Sequence, residues 1–174
     1  ILTDSHGDDN IKGQNGNDAI NGGQGIDLLL GGEGNDFVMK TQDNSGGATA
    51  FLGRGNDMFL GGTGRDNPFG GPGDDWIEGG PHADLVMGDR AQQFQDDVKG
   101  GDDILIGGDG SDDHDAEGGM DIMVGGIGGT DRYHGMFGFD WVTYDGAQMG
   151  VDADLNFNLL QLPDVTAIRD RYLQ

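Results

Sequence analysis

The sequence predicts an all-β chain wound into a stack of parallel strands, and three observations predict it. A nine-residue pattern recurs in thirteen copies between Asp4 and Thr143. Glycine favours positions 1, 2 and 4 of the pattern, and aspartate holds position 6 in every copy. Position 8 is usually a large apolar residue. Periodicity on this scale marks a fold in which each repeat is completed by its neighbours.

The copies run in order from Asp4 as DSHGDDNIK, GQNGNDAIN, GGQGIDLLL and GGEGNDFVM. After the stretch Lys40 to Phe51 come LGRGNDMFL, GGTGRDNPF, GGPGDDWIE and GGPHADLVM. A second interruption, Gly88 to Asp97, precedes VKGGDDILI, GGDGSDDHD, AEGGMDIMV, a copy with one extra residue from Gly125 to His134, and GMFGFDWVT. Position 6 is filled by Asp9, Asp18, Asp27, Asp36, Asp57, Asp66, Asp75, Asp84, Asp103, Asp112, Asp121, Asp131 and Asp140. Position 8 carries Ile11, Ile20, Leu29, Val38, Phe59, Pro68, Ile77, Val86, Leu105, His114, Met123, Tyr133 and Val142.

Each part of the pattern has a physical task. The glycines permit positive φ and close backbone approach, which a six-residue turn requires. The three residues that follow form a short strand with one apolar side chain pointing inward. A single repeat cannot bury that side chain; two repeats on opposite sides of a coil, stacked coil upon coil, can. If each interruption fills one slot, fifteen slots make about 7.5 coils and a rod of about 35 Å.

The composition points to a partner. Asp plus Glu number 32 against 9 Lys plus Arg, for a formal net charge of −23. Such a chain repels itself and resists compaction without counterions. Nucleic acid and anionic membrane surfaces need a basic face and are excluded as partners. Divalent cations are the natural partner. There is no cysteine, hence no disulfide framework and no thiolate metal site. No run of about 18 apolar residues provides a membrane span. The chain begins at Ile1, inside the pattern and without a signal peptide, and reads as a fragment of something longer.

GGEGNDFVM and its relatives resemble the GGxGxDxUx repeat of the RTX, or haemolysin-type calcium-binding, family. The resemblance implies a right-handed parallel β-roll with Ca²⁺ between each turn and the turn two repeats onward. Each ion would take one aspartate from each turn. Backbone carbonyls at positions 2 and 4 of the first turn and 1 and 3 of the second would complete the shell. One such site would use Gln14, Gly16 and Asp18 with Gly31, Glu33 and Asp36. Six or so oxygens suit a hard cation. With the rest of the shell drawn from the backbone, positions 3 and 5 are free to vary.

The pairs in regular phase are Asp9–Asp27, Asp18–Asp36, Asp57–Asp75, Asp66–Asp84, Asp103–Asp121, Asp112–Asp131 and Asp121–Asp140. Asp36–Asp57 and Asp84–Asp103 join them if each interruption counts as one slot. The expectation is therefore roughly seven to nine ions, which would neutralise most of the charge and make collapse possible. Three departures mark less regular coils: His82 in place of a position-4 glycine, Pro68 and His114 at inward strand positions.

The repeat region, 4–143, is followed by 144–174, where glycine almost vanishes. VDADLNFNLL alternates like a strand at its start, and LPDVTAIRDRYL has helix-like spacing after Pro163. This segment is expected to cap the open end of the roll or to link it to the rest of a larger parent chain.

Catalytic readings fare poorly. No GK[ST] follows a glycine turn, no HExxH or other zinc spacing involves the four histidines, and no EF-hand loop is present. Carboxylates recurring thirteen times at fixed spacing are structural, not a glycosidase pair. Trp76, Trp141, Tyr133 and Tyr144 are expected in buried packing or capping, and Asp102, Asp113 and Asp115 as solvated charge. The plain alternative, a disordered acidic linker, does not explain the fixed phase of aspartate and apolar residues. The family resemblance implies a secreted, extracellular bacterial protein exported by a type I system. Its parent would be an enzyme such as an animal-type haem peroxidase, protease, lipase or epimerase, an adhesin or toxin, or a self-assembling extracellular filament. This fragment itself is expected to catalyse nothing.

Overall fold

The computed structural model describes residues 1–3, 6–40, 46–89, 100–143 and 152–154. Its turns form where the pattern places glycine. Gly32 and Gly34 have φ of 127° and 126°, at positions 2 and 4 of one copy. A Cβ on Gly34 would lie 2.5 Å from the Gly16 carbonyl of the coil below. A side chain here would thus be strained and would also push the coils apart. Among the described residues, four with side chains hold such backbone: Gln14, His82, Glu117 and Met136.

Among the described residues the fold is all strand, a β-solenoid of about seven turns. The first sheet stacks Leu2–Thr3, Ala19–Asn21, Phe37–Met39, Met58–Leu60, Trp76–Pro81, Ile104–Asp109, Ile122–Val124 and Trp141–Thr143. The second stacks Asn10–Asn15, Asp27–Glu33, Ala48–Arg54, Asn67–Phe69, Leu85–Met87, Asp113–Asp115, Arg132–His134 and Asp152–Asp154. Every pairing among the described residues is parallel, and the strands of these two sheets alternate along the chain, while Gly118–Gly119 and Phe137–Gly138 form a third, two-stranded sheet. The register aligns position 8 with position 8: Ile20, Val38, Phe59 and Ile77 lie in one column. Leu29, Ala50 and Pro68 align in the other. These columns meet in one buried core that also takes in Leu105, Met123 and Tyr133.

The two interruptions are handled differently. The first fills one slot, with Ala48 in register with Asp27, at the aspartate position. The second fills none, which corrects the fifteen-slot expectation to fourteen. Trp76 pairs with Ile104 and Leu85 with Asp113, so slots before and after the interruption stack as direct neighbours. Gly88 and Asp89 supply positions 1 and 2 of a repeat that Gly100 resumes at position 3. Residues 90–99 contain no glycine, so they lack what a six-residue turn needs. In sequence they separate Asp89 at position 2 from Gly100 at position 3 without adding a slot.

Other departures are absorbed. His114 is fully buried, its ring stacked on Tyr133 with centroids 4.9 Å apart. Burial lowers its pKa and keeps it neutral. Pro68 sits inside the second sheet, and beside it the Phe51 and Phe69 rings stack at 4.8 Å. Asp152–Asp154 pairs with Arg132–His134, carrying the second sheet beyond Thr143. The helix-like spacing after Pro163 lies outside the described residues.

The tryptophans correct the expectation of burial. Trp76 and Trp141 are 40% and 58% exposed. Both stand at position 7, and strand alternation turns that position outward. Phe37, Met58, Trp76, Ile104, Ile122 and Trp141 form an apolar file along the outside of the first sheet. Tyr133 is buried, and Tyr144 lies outside the described residues.

Candidate metal centre

Position 6 forms two columns, one on each side of the coil, at the corner between turn and strand. Oδ1 of the aspartates from Asp27 onward accepts the backbone N–H of the position-6 residue two slots earlier, which is an aspartate except at Asp66, whose donor is Ala48 at 2.6 Å. The links are Asp9 to Asp27 at 2.9 Å, Asp18 to Asp36 at 2.8 Å and Asp36 to Asp57 at 2.7 Å. Asp57 to Asp75, Asp66 to Asp84, Asp75 to Asp103 and Asp84 to Asp112 are each 2.8 Å. Asp103 to Asp121, Asp112 to Asp131 and Asp121 to Asp140 follow at 2.9, 3.1 and 3.2 Å. The expected Asp84–Asp103 pairing is not among these links. Because residues 90–99 add no slot, Asp84 and Asp103 are consecutive, on opposite sides of a coil, and Asp75 and Asp84 take partners 28 residues on.

The second carboxylate oxygen behaves differently. Oδ2 of Asp18, Asp36, Asp57, Asp75, Asp84, Asp103, Asp112 and Asp121 is buried with no hydrogen-bond partner. A buried charged oxygen without a donor is costly. Burial accordingly pushes the pKa of Asp75, Asp84 and Asp121 up to about 8 and of Asp103 to about 9. Asp57 and Asp112 rise to about 6. Neighbouring carboxylates add to the rise, while the N–H bond to Oδ1 opposes it.

The orphaned oxygens face backbone carbonyls of the next coil. A Cβ built on Gly79 would lie 2.7 Å from both Asp84 Oδ2 and the Gly107 carbonyl. On Gly13 it would meet the Gly31 carbonyl at 2.5 Å and Asp18 Oδ2 at 2.8 Å. The position-1 glycine thus leaves open a cradle where oxygens of two turns converge. Such a donor set, carboxylate plus carbonyl with no nitrogen or sulfur, suits Ca²⁺. Among the described residues no three His, Cys, Asp or Glu side chains gather to hold a metal. A site built of one carboxylate per turn and main-chain oxygens would not produce such a group.

Gln14, Gly16, Gly31 and Glu33 lie where these turns meet. Gln14 is in register with Gly32, and the Gly16 N–H donates to the Glu33 carbonyl at 2.7 Å. The Glu33 side chain points away to Arg54, 3.6 Å off on the surface. Three aspartates depart from the common arrangement. Asp66 Oδ2 accepts the Gly62 N–H at 2.9 Å, and Asp131 Oδ2 accepts the Tyr133 hydroxyl at 3.4 Å. Asp27 Oδ2 meets the ammonium of Lys40.

Position 5 varies, with Ile26, Arg65, Ala83, Met120 and Phe139 among its residues, but several copies add a second ladder there. Asp8, Asn17, Asn35, Asp74 and Asp102 accept, through Oδ1, the N–H of position 5 two slots later. Ser111 does so through its hydroxyl to Thr130. The signal was present as a run of Asp, Asn and Ser at that position. Asp102 is therefore a positioned acceptor and not merely solvated. Asp113 lies 3.7 Å from both Arg132 and His134, and burial raises the pKa of Asp115.

A pH dependence follows from the raised values. A carboxyl whose pKa is higher in the roll than in the unfolded chain binds protons on folding, so it opposes folding increasingly as pH rises above 3.8. For Asp103 that penalty is complete only above about 9. In chelator, lowering the pH from 8 to 5 is therefore expected to increase the β signal in circular dichroism. A signal that stays flat or falls would contradict these environments.

Residues 4–38, 49–68 and 60–91 match the model of the RTX calcium-binding nonapeptide repeat. The match supports that family for those residues, and the repeats of that family are calcium-binding structural modules. No curated protein and no solved structure significantly matches the chain.

Proposed function

We propose that this chain is an RTX module whose repeat region, 4–143, folds as Ca²⁺ enters its stacked turns. The observation that carries this is the file of buried aspartate oxygens without donors. Each ion sits between a turn and the turn two slots onward. Asp18 with Asp36, Asp57 with Asp75, Asp75 with Asp103 and Asp84 with Asp112 are such pairs. Carbonyls at positions 2 and 4 of the first turn and 1 and 3 of the second complete the shell. Calcium supplies the charge that these carboxylates need when buried. The N–H bond to Oδ1 holds each carboxylate in place, and the stacked strands exclude water. Binding energy then becomes folding energy.

RTX repeats typically occur in secreted bacterial proteins. A chain of this charge would stay unfolded in a low-calcium cytosol, pass through a type I exporter and fold outside, where folding opposes back-sliding. Residues 144–174 cap the roll or join it to a parent chain, be it an enzyme, adhesin, toxin or filament.

The test is a Ca²⁺ titration followed by far-UV circular dichroism, with Mg²⁺ in parallel. A cooperative gain of β signal with Ca²⁺, absent with Mg²⁺ and reversed by chelator, is expected. Mg²⁺ demands octahedral geometry and keeps its water, so this cradle suits it poorly. A spectrum unchanged by calcium would remove the proposal.

A further inference from the structure

One seat in the aspartate columns is already filled by the chain. Lys40 is 1% exposed, and its Nζ donates to the Gly23 carbonyl at 2.9 Å, the Gly25 carbonyl at 2.7 Å and Asp27 Oδ2. Three acceptors account for the three N–H bonds of an ammonium. They are also the position-2 carbonyl, position-4 carbonyl and position-6 carboxylate of one turn. That is the set a first turn offers to an ion under the proposal above, on which this inference rests.

The facing turn is altered to match. Where other coils bring a second aspartate, Asp27 is in register with the buried Ala48. Lys40 itself occupies position 1, where most copies carry glycine and leave a cradle open. Carboxylate and cation change together: a seat flanked by two carboxylates takes a divalent ion elsewhere, and the seat flanked by one takes an ammonium here. Loss of the aspartate and gain of the lysine are thus two halves of one substitution.

We infer that the Lys40 ammonium is a built-in replacement for calcium, and that the seat between turn Gly22–Asp27 and the following coil takes no metal. The coils that meet there, from Gly22 to Leu60, are held together at any calcium concentration. They form the segment on which the remaining coils stack as ions arrive.

The experiment counts calcium per chain by native mass spectrometry, at saturating Ca²⁺, for the wild type and two variants. Lys40→Gly combined with Ala48→Asp restores the general pattern and is expected to bind one or two more ions than the wild type, because residue 48 flanks the seats toward both Asp27 and Asp66. Lys40→Met leaves Asp27 buried and unpaired. It is expected to keep the wild-type count while losing roughly 6–20 °C in thermal midpoint. An unchanged count in the double variant, or a Lys40→Met protein as stable as wild type, would overturn the inference. A wild type that binds no calcium at all would instead overturn the module proposal itself.

Discussion

Replacing Asp103 with alanine is expected to remove two calcium ions at once and to raise the calcium midpoint of folding at least about tenfold. The residue is 1% exposed and belongs to two consecutive stacks. Its Oδ1 accepts the Asp75 N–H at 2.8 Å, and its own N–H donates to Asp121 Oδ1 at 2.9 Å. Its Oδ2 has no donor, and Asp75, Asp89 and Asp121 all crowd it with negative charge. These are the conditions under which a carboxylate is most dependent on a cation. Asp103→Asn separates the parts, since it keeps an acceptor for Asp75 and loses the charge. Both variants should bind two fewer ions by native mass spectrometry, and only alanine should also weaken the link to Asp75. Wild-type ion counts and midpoint in the alanine variant would sink the proposed ligand role.

Phe59→Ala is expected to cost about 3–5 kcal/mol. Phe59 is fully buried between Val38 and Ile77 in its column. The slot before it carries Ala50, so the large ring fills space that its small counterpart leaves. Alanine at both positions would leave a void in mid-roll. Whole-domain stability is about 5–15 kcal/mol, so the loss is a large share of it. In a solenoid each coil leans only on its neighbours, so the damage should spread from the middle outward. Chemical denaturation in saturating Ca²⁺ measures the loss, and amide exchange locates it. Full protection of the strands at Val38 and Ile77 in the variant would refute this account of the core.

Much of this was legible because the repeat is a ruler. A fixed spacing of aspartate and apolar residues placed the strands, the two faces of the core and the columns at position 6. The ruler failed where its marks were ambiguous. Val98 and Lys99 read as positions 1 and 2 of a new copy, although Gly88 and Asp89 had already opened it. Only the pairing of Trp76 with Ile104 reveals this. Lys40 looked like the first residue of a gap. Its role depends on Ala48, a missing aspartate, and on carbonyls of the coil below, which no local pattern contains. The outward tryptophans could have been read from strand alternation, which puts position 7 opposite position 8. The position-5 ladder was missed because the ion shell seemed to need nothing from it.

That residues 90–99 add no slot bears on the symmetry of the molecule. The rod repeats itself only after two slots, so what matters along the chain is whether the slot number is even or odd. Because residues 90–99 fill no slot, that parity is preserved, and Trp76 stays aligned with Ile104, Ile122 and Trp141. Removing eighteen residues, such as 61–78, would shorten the rod by one full period and keep every remaining strand on its own side. Removing nine would exchange the sides of everything beyond the cut and divide the apolar file between opposite flanks. The sidedness of the rod is therefore a counting property, conserved under even steps and reversed by odd ones.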